Sequence, residues 1–222
     1  MPTFKNLKVP PSLKEMAFQS IKAAILSQKL VPGQVYNEQG LAKELGISKT
    51  PVREALLDLS IKGFITLLPR KGVQLNILTE KDVRDLFEVR NALETAIVRR
   101  ITPKLTDGEI KRIGEIHLKE RDAIQSNDRI SYLRIDRELH LCLASLTENR
   151  YMISSIENIR DLIDWVAFKA IVRLERMVEV EEEHAKVIER LKERDVRGAE
   201  FFMQEHIRIT EQIVGRLVSQ EK

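Results

Sequence analysis

The sequence predicts a mainly α-helical chain in two parts: a small N-terminal unit of three helices closed by a β-hairpin, then a larger antiparallel bundle made only of helices. Three observations predict it. Apolar residues recur at spacings of three and four along most of the 222 residues. A strand–turn–strand pattern occurs once, around Pro69-Arg70-Lys71-Gly72. Aromatic residues are only 5% of the chain against 32% charged, a composition that favours helices over strand-rich folds.

Residues 12–28 place Leu13, Ala17, Ile21, Ala24 and Ile25 on one face, and Val31-Pro32-Gly33 follows as a stop. Asn37 is an N-cap for a second, short helix with Leu41, Ala42 and Leu45 inward, ended by Gly46. Ser48 caps a third, where Pro51 suits the first turn, Val52, Ala55, Leu56 and Leu59 face the core, and Gly63 closes the segment. Phe64–Leu68 and Val73–Asn76 read as the strands of a hairpin. A capping pattern at Thr79-Glu80-Lys81-Asp82 puts the domain boundary between 78 and 79, giving units 1–78 and 79–222. Beyond it, helices are expected at 80–101, 107–126, 129–146, 148–177, 178–194 and 196–219, with Thr102-Pro103 and Asn127-Asp128 the clearest breaks.

Composition bounds the function. Basic residues (37) nearly balance acidic ones (34), so bulk charge decides nothing about nucleic acid; the basic excess is concentrated in residues 1–75. Cys142 is the only cysteine, which excludes an intrachain disulfide and a cysteine-pair metal or redox motif and suits a reducing cytoplasm. No apolar run approaches the roughly 18 residues of a membrane span, and the first residues have no signal-like apolar stretch, so no membrane partner is expected.

The run Glu38–Leu56 reads as helix, glycine-containing turn, helix. Such a motif sets the first residues of its second helix against base edges, so Ser48, Lys49, Thr50 and Arg53 stand where a reader of DNA needs polar and cationic groups. Arg70 and Lys71 at the hairpin tip suit the phosphate backbone or minor groove, with Gly72 allowing close approach. An ordinary three-helix packing unit with solvated basic ends is the plainer alternative, but turn chemistry, basic residues and wing occur together and in order. The segment Ser48-Lys49-Thr50-Pro51-Val52-Arg53-Glu54-Ala55-Leu56, with Gly63-Phe64 and Pro69-Arg70-Lys71-Gly72, resembles the winged helix-turn-helix domain of the GntR family of bacterial regulators. That resemblance implies DNA contacts at Lys49, Thr50, Arg53 and around Gly72. Members often carry arginine where this chain has Gln39 and Lys49, so the operator does not carry over.

Four histidines follow. Asp136 and His140 are spaced i, i+4 and share a helix face. His184 lies in a stripe with Val180, Val187, Ile188 and Leu191, and His206 in one with Phe202, Met203, Thr210 and Ile213. His117 also lies on an apolar stripe, with Ile110, Ile113 and Ile124, and periodicity does not separate it from the other three. Each alone reads more simply as a hydrogen-bonded core residue. On the next inward face, Arg90 and Glu94 either pair with each other or leave Arg90 to meet a bound anion, because an unpaired buried charge is costly.

Asp136-Arg137-Glu138-Leu139-His140, then Asn149, then Glu183-His184-Ala185-Lys186-Val187-Ile188 and His206, resemble the FCD ligand-binding domain of the FadR-type branch of GntR regulators, over residues 80–218. The resemblance implies a divalent metal held by Asp136, His140, His184 and His206, not by His117. Zinc or nickel stands first, with iron, cobalt or manganese as alternatives. It implies a small organic-acid effector contacted by Arg90 and Asn149, and a homodimer that reads two half-sites of a DNA operator. The expected protein is a ligand-responsive transcription regulator. The alternatives are a regulator whose metal is structural only, and a metal-dependent enzyme that activates water with Glu138 or Glu183 as base.

Overall fold

The computed structural model describes residues 10–170 and 174–220. The first nine residues of the expected N-terminal unit, and residues 171–173 of the helix expected at 148–177, lie outside the described residues. The chain divides into two compact units, one ending at Ile77 and one beginning at Leu78. No helix among the described residues is long and apolar enough to cross a membrane.

In the first unit, helix α1 (Leu13–Leu26) starts at a capping box: the Ser12 side chain accepts from the Glu15 N–H while the Glu15 carboxylate accepts from the Ser12 N–H. It buries Ala17, Ile21 and Ile25; Leu13, expected on that face, lies in the first turn and is 51% exposed. Asn37 caps α2 (Glu38–Leu45) by accepting from the Gly40 N–H at 2.6 Å, and Gly46 ends it in the left-handed region at φ 67°. Helix α3 (Lys49–Ile61) buries Val52, Ala55, Leu56 and Leu59. The hairpin forms as β2 (Ile65–Leu68) and β3 (Gly72–Leu75), antiparallel, with Leu68 opposite Gly72.

A strand that the sequence did not announce, β1 (Val35–Tyr36), pairs with the other side of β3, giving the sheet order β1-β3-β2. Two residues are too few to show alternation, so only the pairing reveals it.

In the second unit, Thr79 with Asp82 and Thr106 with Glu109 form capping boxes at the starts of α4 (Glu80–Ile101) and α5 (Asp107–Gln125). Asp128 caps α6 (Arg129–Ser145). Helices α7 (Arg150–Ala170), α8 (Leu174–Lys192) and α9 (Val196–Gln220) complete the bundle. No break falls at 177/178: both residues lie within α8, and Met177 is fully buried. No glycine or proline marks this stretch, so helical periodicity alone gave no ground for a break there. Helix α4 packs against α9, α7 and α6, α5 lies between α6 and α8, and α8 packs on α9. The core they share includes Phe87, Ile97, Ile113, Leu139, Met177, Val187, Met203 and Val214.

Candidate DNA interface and metal centre

Ser48, Lys49, Thr50 and Arg53 are all exposed at the start of α3, and the Ser48 side chain makes no capping hydrogen bond. Lys49, Arg53, Arg70, Lys71 and Gly72 border one cleft of about 510 Å³ between α3 and the wing. Glu38 pairs with two of these cations, lying 3.4 Å from Lys49 Nζ and 3.2 Å from Arg53 Nε. Gly72 has a further, structural reason to be glycine. Its φ is +120°, and a Cβ there would come 2.2 Å from the Tyr36 carbonyl oxygen, so β1 and β3 could not meet as they do.

Three imidazoles converge in the bundle. The ring centroids of His140 (α6), His184 (α8) and His206 (α9) are 5.2, 5.4 and 4.6 Å apart, all three rings are buried, and one ring nitrogen from each falls within 4.8 Å of the others. Asp136 joins them one helical turn before His140: its Oδ1 is 3.8 Å from His140 Nε2 and 3.7 Å from His184 Nε2.

A carboxylate stands behind each ring. Glu94 contacts His140 Nδ1 closely, Glu120 lies 3.0 Å from His184 Nδ1, and Glu183 lies 2.8 Å from His206 Nδ1. A carboxylate there accepts the Nδ1 proton, fixes the tautomer and leaves the Nε2 lone pair pointing inward, as in histidines that bind metal. The His184 Nε2 atom is buried with no hydrogen-bond partner. Such an unpartnered buried ring nitrogen, facing two other imidazoles and a carboxylate, fits a divalent transition metal.

The electrostatics agree at two of the three rings; at His184 burial would lower the ring but Glu120 raises it. Burial pulls His140 down to about 4 even against Glu94, and burial with His184 and Arg90 nearby holds His206 well below the ordinary imidazole range. Both are therefore neutral at pH near 7, the form that binds metal. Burial opposes ionisation of Asp136, but Arg160, His140 and His184 outweigh it and keep the carboxylate charged.

Arginine supplies the positive side. Arg90, 1% exposed, donates from Nε to Glu94 Oε1 at 2.8 Å, and its Nη2 lies 3.2 Å from His140 Nε2 and 3.1 Å from His206 Nε2. Arg160, equally buried, binds Asp136 Oδ2 through Nη2, while its Nε and Nη1 have no hydrogen-bond partner.

Comparison with known proteins decides the family. The FCD domain matches residues 85–209, more than half of the chain, and the gntR family of bacterial regulatory proteins matches residues 13–75. The chain belongs to the GntR family and carries an FCD domain. This regulator is 22% identical over 195 residues to the repressor RspR of Escherichia coli (strain K12), covering 88% of this chain and 86% of the relative. It is 25% identical over 166 residues to the gluconate operon transcriptional repressor of Bacillus licheniformis, covering 72% and 68%. Among solved structures, E. coli McbR/YncC shares the fold at a TM-score of 0.81 and 20% identity, over 94% of this chain and 99% of that one. The metal-free FCD domain of TM0439 is similar at 27% identity and a TM-score of 0.54, over 63% of this chain and 95% of that one. These families and relatives are transcriptional regulators, not enzymes.

Within the regulator, the four residues expected at the metal come together, and His117 stands apart, its Nε2 2.8 Å from Glu181. Arg90 combines both expected alternatives, since it pairs with Glu94 and also faces the cluster. Asn149 does not join them. Its Oδ1 accepts from the Tyr151 and Met152 N–H groups at the start of α7, the work of a helix cap. Of the acids weighed as a base, Glu183 is tied to His206 and Arg176, and Glu138 pairs with Lys119 at a half-exposed position.

Sequence reasoning missed Glu120 and Arg160. Both carried a signal: each is a charged residue at helical spacing from buried isoleucines, Ile113 and Ile116 for the first, Ile156 and Ile163 for the second.

Proposed function

We propose that this GntR regulator reads its operator through α3 and the wing, and that its FCD unit senses a small organic acid at a divalent metal held by Asp136, His140, His184 and His206. One observation carries the second half: three inward Nε2 atoms, each imidazole fixed from behind by its own carboxylate, with a buried acidic oxygen completing the set. A metal bound there would supply a Lewis-acidic anchor for a carboxylate. The chain's own residues do the rest. Arg90 and Arg160 present guanidinium groups suited to a planar anion, and Arg160 has two donors without an acceptor. The assignment divides the chain into a DNA-binding unit, 1–78, and an effector unit, 79–222, acting as a cytoplasmic homodimer on two half-sites.

Ser48, Lys49, Thr50 and Arg53 are assigned to base edges and nearby phosphates, and Arg70, Lys71 and Gly72 to the flanking backbone or minor groove. Effector binding then alters DNA affinity to the extent that it favours one arrangement of the two readers.

The test is a thermal-shift screen of small organic acids on chelator-treated protein, with and without added zinc or nickel. Gluconate leads the panel because the B. licheniformis relative is named for a gluconate operon. An acid present at about one hundred times its Kd should stabilise by about 2.7 kcal/mol, and only when metal is present. Stabilisation by metal with no response to any acid favours a structural metal; no bound metal by elemental analysis overturns the reading.

A further inference from the structure

Arg90 stands in the way of the metal. The coordinating atoms of His140 and His206 are the same Nε2 atoms that lie 3.2 and 3.1 Å from Arg90 Nη2. With both Nδ1 atoms facing carboxylates, each Nε2 offers a single lone pair, which can accept from a guanidinium or bind a metal but not both. A guanidinium does not deprotonate in a protein, so Arg90 can yield only by moving. His184, by contrast, has its Nε2 unpartnered, and Arg160 touches Asp136 without touching an imidazole nitrogen. The cluster is thus half closed, by one side chain and at two of its three imidazoles.

We propose that Arg90 is a built-in plug of the metal centre: its guanidinium takes the metal's place on His140 and His206 in the metal-free protein and is displaced when metal enters. This rests on the metal reading above and adds its regulation. The Nε–Glu94 bond of 2.8 Å is the pivot, because it can persist while the Nη2 edge turns away. The displaced edge stays charged and buried, and a buried donor without an acceptor is costly. A carboxylate beside the metal is the acceptor that relieves it. Metal entry therefore prepares the anion receptor, and by reciprocity the anion tightens the metal, through one side chain.

The experiment measures zinc alone, by calorimetry with a competing chelator, on full-length metal-free wild type, Arg90→Gln and Arg160→Gln. The last removes an equal charge from the same cluster and frees the Asp136 carboxylate but no imidazole. Removing the plug should tighten zinc by about tenfold or more, because the metal no longer has to displace two hydrogen bonds from a charged donor before it reaches the Nε2 lone pairs. The gain should exceed that of Arg160→Gln. Equal gains in the two variants, or unchanged or weaker zinc in Arg90→Gln, overturn the plug while leaving the metal site standing. No zinc on any of the chains overturns both. A crystal structure of zinc-loaded wild type needs no variant to fold: Arg90 Nη2 should have left both Nε2 atoms, and its persistence on them would sink the proposal.

Discussion

His117 and His184 occupy equivalent-looking positions, each on the buried stripe of a long helix, yet they face different surroundings. His117 meets Glu181 at 2.8 Å, whereas His184 has Glu120 behind it and an open Nε2 in front. Replacing two of the proposed ligands, His140→Ala with His206→Ala, should abolish bound metal; a metal content by elemental analysis equal to wild type would count against the cluster. His117→Ala should leave the metal content unchanged.

The histidines also set an acid limit on the metal-free protein. In the unfolded chain, imidazoles take up protons near 6.5, but folding depresses His140 to about 4 and His206 well below its ordinary range. The unfolded state then binds more protons, so stability falls as pH drops from 6.5 through about 4. His184 opposes this. Although burial would lower it, Glu120 raises it, so its contribution is complete below 6.5 and fades as pH rises through the raised value. With two groups against one, chelator-treated protein should melt at a lower temperature at a pH of about 5 than at about 7. The double alanine variant should show a smaller difference, and an equal one would show that these rings do not set the limit. On the DNA side, Arg53→Ala should weaken specific operator binding by about 1–3 kcal/mol with an unchanged melting temperature, as read by footprinting and thermal denaturation.

At the scale of elements, the wing depends on one close approach. Gly72→Ala would drive a Cβ against the Tyr36 carbonyl and force a side chain into φ +120°. A loss of about 1–3 kcal/mol is expected in urea denaturation, and operator affinity should fall with it, since Arg70 and Lys71 belong to the same hairpin loop. Weaker DNA binding with full stability would show instead that Gly72 acts only by admitting the backbone of DNA. Where elements begin was largely legible, because caps are local: Asn37, Thr79, Thr106 and Asp128 each bond to a backbone N–H three residues on. The two-residue β1 and the unbroken helix through Met177 and Val178 were not, since one exists only through its partner strand and the stretch of the other carries no residue that marks or forbids an end.

For the whole molecule, the proposed dimer makes a geometric prediction. Two copies reading a two-fold operator need half-sites separated by about 34–36 Å or a multiple. Sedimentation in the presence of such a duplex should give two chains per operator. Inserting about half a helical turn, roughly 5 base pairs, between the half-sites should abolish tight binding, because the second reader then faces the wrong side of the DNA. Tight binding that tolerates the insertion would contradict a fixed two-fold arrangement.

By itself, the sequence determined the order of helix, turn, helix and wing, the caps at Asn37 and Thr79, and the inward turn of Arg90, Glu94, Asp136 and the four histidines, though not of Glu120 or Arg160. Those properties follow from neighbours within a few residues and from helical spacing. Periodicity left the four histidines equivalent and the resemblance chose among them, but only the tertiary structure brought His140, His184 and His206 together with Asp136 and apart from His117, made Asn149 a helix cap, and laid Arg90 beside two of the three imidazole Nε2 atoms. Helical periodicity specifies a face and not what that face meets. The centre is assembled from α4, α6, α8 and α9, whose convergence is set by packing between segments far apart in the chain.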